Sequence, residues 1–214
     1  RVYQKRQVDE LVFLDIGARR RGRPDWQTIE AFASELFCPF SVGGGISSLD
    51  DAKRLLSIGA DKVAIGAGAG EAWERLVGEI ASSLGSQAVV ACVDVDKCLE
   101  RVSRKYYPHT LEKMQEAGAG EILLTDVCRD GMRTGFNVAL IEVASKHLSV
   151  PLIANGGCSG PDDCVVAILA GASAVAASSI FHFTEATPQD CADALREAGI
   201  AVRSRAGTCS MGPQ

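Results

Sequence analysis

Aspartates at the ends of apolar stretches are the residues of this sequence best suited to proton transfer. Asp94 closes the run VVACVD, and Asp15, Asp126 and Asp130 end similar runs or follow them closely. Removing a carboxyl group from water disfavours its charged form and can bring it into the range that general acid–base catalysis needs. Asp94 ranks first on position, whereas Asp130 precedes Gly131 in a common turn pair. The simpler alternative for each aspartate is a helix cap or a turn residue.

Glycine-bearing turns recur close to these aspartates. They are Gly43-Gly44-Gly45, the segment from Gly66 to Gly70, Gly131, and Gly156-Gly157. Glycine lets the backbone approach a ligand closely, and free N–H groups at the start of a helix bind anions. Taken in symmetric pairs, the turns predict two phosphate sites, with Ser178 and Ser179 contributing to the second. The expected ligand is long and carries a phosphate at each end; the alternative is a tight turn without a ligand.

An internal repeat relates the two halves of the chain. The stretch from Pro39 to Gly66 reads as strand, glycine turn, helix, glycine and strand, and the stretch from Pro151 to Ser179 repeats it 112 positions later. The preceding runs DELVFLDI and GEILLTDV also match, which places Asp15 and Asp126 111 positions apart. Such repeats fix the architecture of a protein.

Strand and helix patterns alternate regularly along the sequence. Strands are expected at about 11–16, 40–46, 62–67, 88–95, 121–127, 151–157 and 174–181, and helices at about 26–37, 48–59, 71–84, 108–118, 137–147, 161–170 and 187–198. Seven βα units in two similar halves favour a two-fold repeated (β/α)8 TIM barrel over a doubly wound sheet. The repeat also predicts that the chain lacks the first βα unit, so that seven of eight units are present. We expect one barrel domain over 1–203 and a disordered tail over 204–214.

Composition excludes several classes of protein. The 214 residues carry a net charge of -5, which argues against binding to nucleic acids or to anionic membrane surfaces. No apolar run is long enough for a membrane span and no signal peptide is recognisable, so a cytoplasmic location is expected. The eight cysteines form no C-x-x-C pair, which predicts reduced thiols and no metal site.

In combination, the runs DELVFLDI, VGGGI, GADKV, GAGEILLT, RDG and ASSIFHF resemble the cyclase subunits of imidazole glycerol phosphate synthase. The resemblance covers Val8 to about Arg203. It implies a lyase of histidine biosynthesis without a metal or organic cofactor, paired as a heterodimer with a glutaminase. Such an enzyme converts a ribulosyl formimino-AICAR with two phosphates, together with ammonia, to imidazole glycerol phosphate and AICAR.

The resemblance also implies roles for individual residues. Asp94 matches one of two catalytic aspartates, and Thr125 and Asp130 match the substrate pocket. The phosphate positions are Gly44, Gly45, Gly66 and Ala67 at one site, and Gly131, Gly156, Gly157, Ser178 and Ser179 at the other. Glu10, Lys62 and Glu121, which precede or begin strands, match a salt-bridge gate for ammonia. The glutaminase is expected to dock on that face, near Asp61.

Several positions depart from the family pattern. Gly66-Ala67 stands where the family has Asn-Thr, Cys128 replaces an acid, Asn155 stands where serine is common, and the connection after Asp94 is short. Other stretches resemble a paralogous group that works with a glutaminase in the amidation of sugars for surface polysaccharides. Two alternatives therefore stay open beside the cyclase: that paralogue, and a non-catalytic binding or scaffold subunit.

Overall fold

Seven parallel strands form one sheet in which the order in space is the order in the chain. The computed structural model describes residues 8–66, 71–96 and 100–203. The strands are β1 (Leu11–Leu14), β2 (Phe40–Gly43), β3 (Lys62–Gly66), β4 (Val89–Val95), β5 (Glu121–Asp126), β6 (Leu152–Asn155) and β7 (Ala174–Ala176). Consecutive parallel pairing with a helical crossover between neighbours confirms the predicted (β/α)8-type architecture with seven βα units.

The helices pack around the outside of this curled sheet. They are α1 (Ala18–Arg21), α2 (Trp26–Ala33), α3 (Leu49–Ile58), α4 (Glu71–Leu84), α5 (Glu100–Glu116), α6 (Val138–His147), α7 (Pro161–Leu169), α8 (Ser179–Phe183) and α9 (Pro188–Glu197). Their buried faces and the outward side chains of the strands form the main core. Among the described residues, no helix combines the length and the apolar character needed to cross a bilayer.

Three features of the sequence-based assignment were wrong. The short helix α1 was not expected, and β7 ends at Ala176 instead of position 181 because the chain turns into α8 at Ser179. Helix α5 begins at Glu100 and contains Pro108, although a proline is most favourable in the first turn of a helix. The expected tail over 204–214 falls outside the described residues.

The internal repeat recurs in the hydrogen bonds. The amide and hydroxyl groups of Ser47 donate to Asp51, and those of Ser159 donate in the same way to Asp163. At the opposite ends of the strands, Phe40 N donates to Asp61, and Leu152 N donates to Ser173 at the equivalent positions. The two halves therefore share local hydrogen bonds as well as sequence similarity.

Candidate functional site

Polar residues at the carboxyl ends of β4, β5 and β6 lie in one row. In the register of the sheet Asp94 pairs with Thr125, and Thr125 pairs with Asn155. Asp94 is exposed, Asn155 is half-buried, and Thr125 is 8% exposed. The amide nitrogen Nδ2 of Asn155 donates a hydrogen bond of 3.2 Å to Oγ1 of Thr125. This row joins two predicted site residues to Asn155, which the sequence had marked only as a departure from serine.

A second apolar cluster lies beneath this row, inside the sheet. Its members are Ala64, Val90, Cys92 and Leu123, with Ile153 and Ala176 packed against them. Burial, with a smaller contribution from the charge of Asp94, raises the pKa of Cys92 to about 12, so this thiol stays protonated at neutral pH. The row of polar side chains therefore lies directly above a layer of apolar side chains.

The two predicted glycine turns have closely related backbones. Gly44 and Gly156 have φ angles of 106° and 90°, in the left-handed region that favours glycine. A Cβ atom at Gly44 would collide with the carbonyl group of Asp15, and one at Gly156 would collide with that of Asp126. Both turns lead into helices, α3 and α7. Backbone crowding thus accounts for a glycine at each position and leaves no room for a side chain there.

Asp15 and Asp126 have a structural role in place of the catalytic one considered for strand-end acids. Asp15 accepts hydrogen bonds from the amides of Gly17 and Asp25 and pairs with Arg21. Asp126 accepts from the amide of Arg129 and from Nδ2 of Asn137, at 3.2 and 2.8 Å. Each carboxylate organises the loop that follows its strand. Because that loop packs on a glycine turn, the pair helps to position both turns.

The acid stability of the protein tests the role of Asp15. Burial raises its pKa, but the bonds from Arg21, Asp25 and Gly17 outweigh this and hold the pKa below the ordinary value of 3.8. The unfolded chain therefore binds a proton more readily, and this stabilisation, present above about pH 3.8, is lost as the pH falls through the lower folded value.

We expect Asp15→Asn to lower the free energy of unfolding at pH 7 by about 1–3 kcal/mol. The difference from the unmodified protein should shrink below pH 3.8. Urea unfolding at several pH values measures both effects, with the exposed Glu79→Gln on α4 as the control. A pH-independent difference would contradict the assignment.

The remaining predicted phosphate positions lie at or after the carboxyl ends of β3, β5 and β7. Gly131 has a φ of 74°, Ser178 is exposed, and Ser179 begins α8. Asp130 is exposed, and its amide donates to the carbonyl of Asp126 at 3.0 Å. Gly66 ends β3 at an exposed position, whereas Ala67 is outside the described residues. The residues predicted for the second phosphate site therefore follow three consecutive strands, β5, β6 and β7.

The loop after β5 also reaches α8 through an arginine in a strained conformation. Arg133 has a positive φ of 52°. Its Nη1 donates to the carbonyl of Phe183 at 3.4 Å, and its guanidinium lies 5.9 Å from the centre of that ring. These contacts connect the loop that carries Asp130 and Gly131 to the helix that begins at Ser179.

The three predicted gate residues come together at the amino-terminal ends of the strands. Nζ of Lys62 lies 2.9 Å from Oε2 of Glu10, and 2.9 and 3.0 Å from the two carboxylate oxygens of Glu121. Ser41 donates a further hydrogen bond of 2.6 Å to Glu10. Burial lowers the pKa of Lys62, but the hydrogen bonds to Glu121 and Glu10 outweigh burial and raise it. The ammonium group is therefore charged and shared between two carboxylates.

Cysteines contribute free thiols to the described structure. Among the described residues, no disulfide joins Cys38, Cys92, Cys128, Cys158, Cys164 or Cys191. Within the described ranges, no three His, Cys, Asp or Glu side chains form a group that could hold a metal ion.

Comparison with known proteins assigns this chain to a family. Residues 1–187 match the histidine biosynthesis protein family, His_biosynth, and the chain belongs to that family. Imidazole glycerol phosphate synthase subunit HisF of Halalkalibacterium halodurans is 42% identical over 94% of this chain and 85% of its own length. The HisF of Dictyoglomus turgidum is 39% identical over 95% of this chain and 85% of its own length. A Campylobacter jejuni protein provisionally named subunit hisF2 is 38% identical over 95% of this chain and 85% of its own length.

Proposed function

We propose that this chain, as a member of the histidine biosynthesis family, is the cyclase subunit of an imidazole glycerol phosphate synthase. It is then a lyase that uses ammonia to convert a bis-phosphorylated ribulosyl formimino-AICAR to imidazole glycerol phosphate and AICAR. The observation that carries the proposal is the pair of crowded glycine turns at Gly44 and Gly156. Asp94 lies at the same end of the sheet, the mouth, where the strands finish. A ligand with a phosphate at each end matches two such turns.

Phosphate binding at these turns follows from their backbone. Gly44 and Gly156 hold left-handed φ angles and have no side chain of their own, which lets a ligand approach the backbone amides of these turns closely. Ten-residue α3 and nine-residue α7 follow, and the partial positive charge at their amino termini favours anions. Gly131, Ser178 and Ser179 contribute to the second site, and Gly45, Gly66 and Ala67 to the first.

Asp94 is the proton-transfer group in this proposal. It is exposed at the mouth, in register with Thr125, whereas the other strand-end aspartates, Asp15 and Asp126, are occupied by loop hydrogen bonds. A carboxylate at this position can take a proton from the ammonia-derived nitrogen or return one to the leaving group as the imidazole ring closes. The proposed reaction calls for no metal or organic cofactor.

The glutaminase partner is proposed to dock on the opposite face, where the strands begin. Lys62, Glu10 and Glu121 form a charged cluster there, at the entrance to the interior of the sheet. Phe37, just before β2, is 85% exposed, and Asp61 is exposed while it accepts a hydrogen bond from the amide of Phe40. Aromatic side chains are enriched at the centres of protein interfaces, and charged groups are common at their rims.

The sugar-amidation paralogue is a second candidate, and one finding favours it. The hisF2 protein of Campylobacter jejuni is as similar to this chain as the HisF proteins are. In that function the barrel would again work beside a glutaminase, but the ammonia would pass to an amidotransferase that acts on a sugar.

The deciding experiment is a turnover assay with the full chain. Purified protein is given the bis-phosphorylated substrate and an ammonium salt, and substrate loss and AICAR formation are followed together. We expect the substrate to be lost and AICAR to be formed in equal amounts. Binding of the substrate without its consumption would instead favour the non-catalytic subunit. The absence of both binding and turnover would favour the paralogue.

A further inference from the structure

A hydrogen bond between neighbouring strands restricts what the hydroxyl group of Thr125 can do. Oγ1 of Thr125 accepts the hydrogen bond of 3.2 Å from Nδ2 of Asn155. A hydroxyl group has one hydrogen of its own, and that hydrogen rotates to suit its surroundings. Because Asn155 is the donor on the β6 side, the hydrogen of Thr125 must point elsewhere.

Asp94 lies on the other side of Thr125. The register places Asp94 and Asn155 on opposite neighbours of the same residue, in β4 and β6. Adjacent strands are about 4.8 Å apart, so side chains of one row on one face are within reach of each other. Beneath the row lie the apolar side chains of Cys92, Leu123 and Ile153, which offer no good acceptor.

We propose that Asn155 is a positioning residue, which holds the hydroxyl group of Thr125 in the orientation that donates its hydrogen toward Asp94. Thr125 is 8% exposed, and a buried hydroxyl hydrogen without an acceptor is costly. Thr125 and Asp94 are not hydrogen-bonded to each other in this structure; the carboxylate of the exposed Asp94 is the acceptor of the same row that a rotation of its side chain brings within reach. Asn155 thus acts on the proton-transfer group through its neighbour, without contact with it.

The fold itself does not require an amide at this position. The repeat relates Asn155 to Gly43, 112 positions earlier, and Gly43 ends a strand of the same kind with no side chain at all. Asn155 is therefore a side chain that only the second half of the sheet has, and it lies in the same row as Asp94.

The first test uses the ligand-free protein and is independent of the proposed function. The carboxyl carbon of Asp94 is observed by NMR in protein made with ¹³C-labelled aspartate, at one neutral pH. Asn155→Leu and Thr125→Val should each move this resonance, and the double variant should move it no further than Thr125→Val alone. Thr125→Ser keeps the hydroxyl group and should leave the resonance close to its original position.

The second test is kinetic and rests on the proposed cyclase activity. Asn155→Leu should lower kcat about tenfold and leave KM within about twofold, since an oriented hydroxyl group matters in the transition state. The same substitution in a Thr125→Val background should have almost no further effect on kcat. Gln27→Leu, an exposed amide on α2, is the matched control and should change neither constant.

Two outcomes would overturn the proposal. One is an Asp94 resonance that does not respond to Asn155→Leu in a folded variant, with folding checked by thermal unfolding. The other is a full, additive effect of Asn155→Leu in the protein that already carries Thr125→Val. If the unmodified protein shows no cyclase activity, the proposed function fails, but the NMR result still decides the role of Asn155.

Discussion

Replacing Asp94 by asparagine is expected to lower kcat of the cyclase reaction by about 100- to 10,000-fold, with substrate affinity within about threefold of the original. Asparagine keeps the size and polarity of the side chain but cannot exchange a proton near neutral pH. The carboxylate of Asp94 is not among the atoms that crowd Gly44 and Gly156, the turns proposed to bind phosphate, so binding should survive. Steady-state kinetics with ammonium, together with calorimetric titration of the substrate, separate the two effects.

The matched control for this variant is Glu142→Gln, which makes the same charge-to-amide change on the outer surface of α6. It should leave both constants unchanged. An Asp94→Asn protein with unaltered kcat would remove Asp94 from the mechanism. It would leave Asp130, also exposed at the mouth, as the candidate acid.

Replacing Lys62 by methionine is expected to affect turnover with glutamine differently from turnover with free ammonium. Without the ammonium group, Glu10 and Glu121 face each other unpaired at the entrance and repel. Turnover with glutamine and a glutaminase partner should fall at least tenfold, whereas turnover with free ammonium should stay within about twofold. The measurement compares the two rates in the same preparation.

The same variant has a consequence for stability that requires no partner. The raised pKa of Lys62 means that its ion pairs contribute fully below its ordinary value of 10.5 and are lost as the pH rises through the higher folded value. We expect Lys62→Met to lower the free energy of unfolding at pH 7 by about 1–3 kcal/mol, since two carboxylates lose their partner.

Lys113→Met is the control for both readouts. Lys113 pairs with Glu74 at 3.0 Å between the outer helices α5 and α4, where both side chains are more exposed than those of the Lys62 cluster. Exposed pairs contribute roughly 0–1 kcal/mol. Equal effects of the two substitutions on glutamine-dependent turnover would contradict a gate at Lys62.

The sequence was sufficient for the architecture because the signals are local and repeated. Short apolar strands, helix caps and the glycines after helices recur in both halves, so seven βα units and their order could be predicted. The positions at which the strands end could not be predicted in this way, and β7 is an example. There the run ASAVAASS continues the apolar pattern, but the chain leaves the sheet after Ala176 and enters α8 at Ser179.

Tertiary structure decided which polar residues are available for chemistry. By sequence, Asp15, Asp94 and Asp126 are three similar aspartates near strand ends. Hydrogen bonds from residues 10 and 11 positions further along the chain, Asp25 and Asn137, occupy two of them. Partners of this kind depend on how each loop folds back, which no local pattern encodes.

The amino-acid sequence by itself determined the repeat, the barrel architecture, the two glycine turns and the candidate Asp94, because periodicity and glycine content are written in the order of residues. Only the folded chain decided that Thr125 and Asn155 stand in one row with Asp94, and that Lys62 lies between Glu10 and Glu121. These groups are 30 or more positions apart within each set, and the register between parallel strands brings them together.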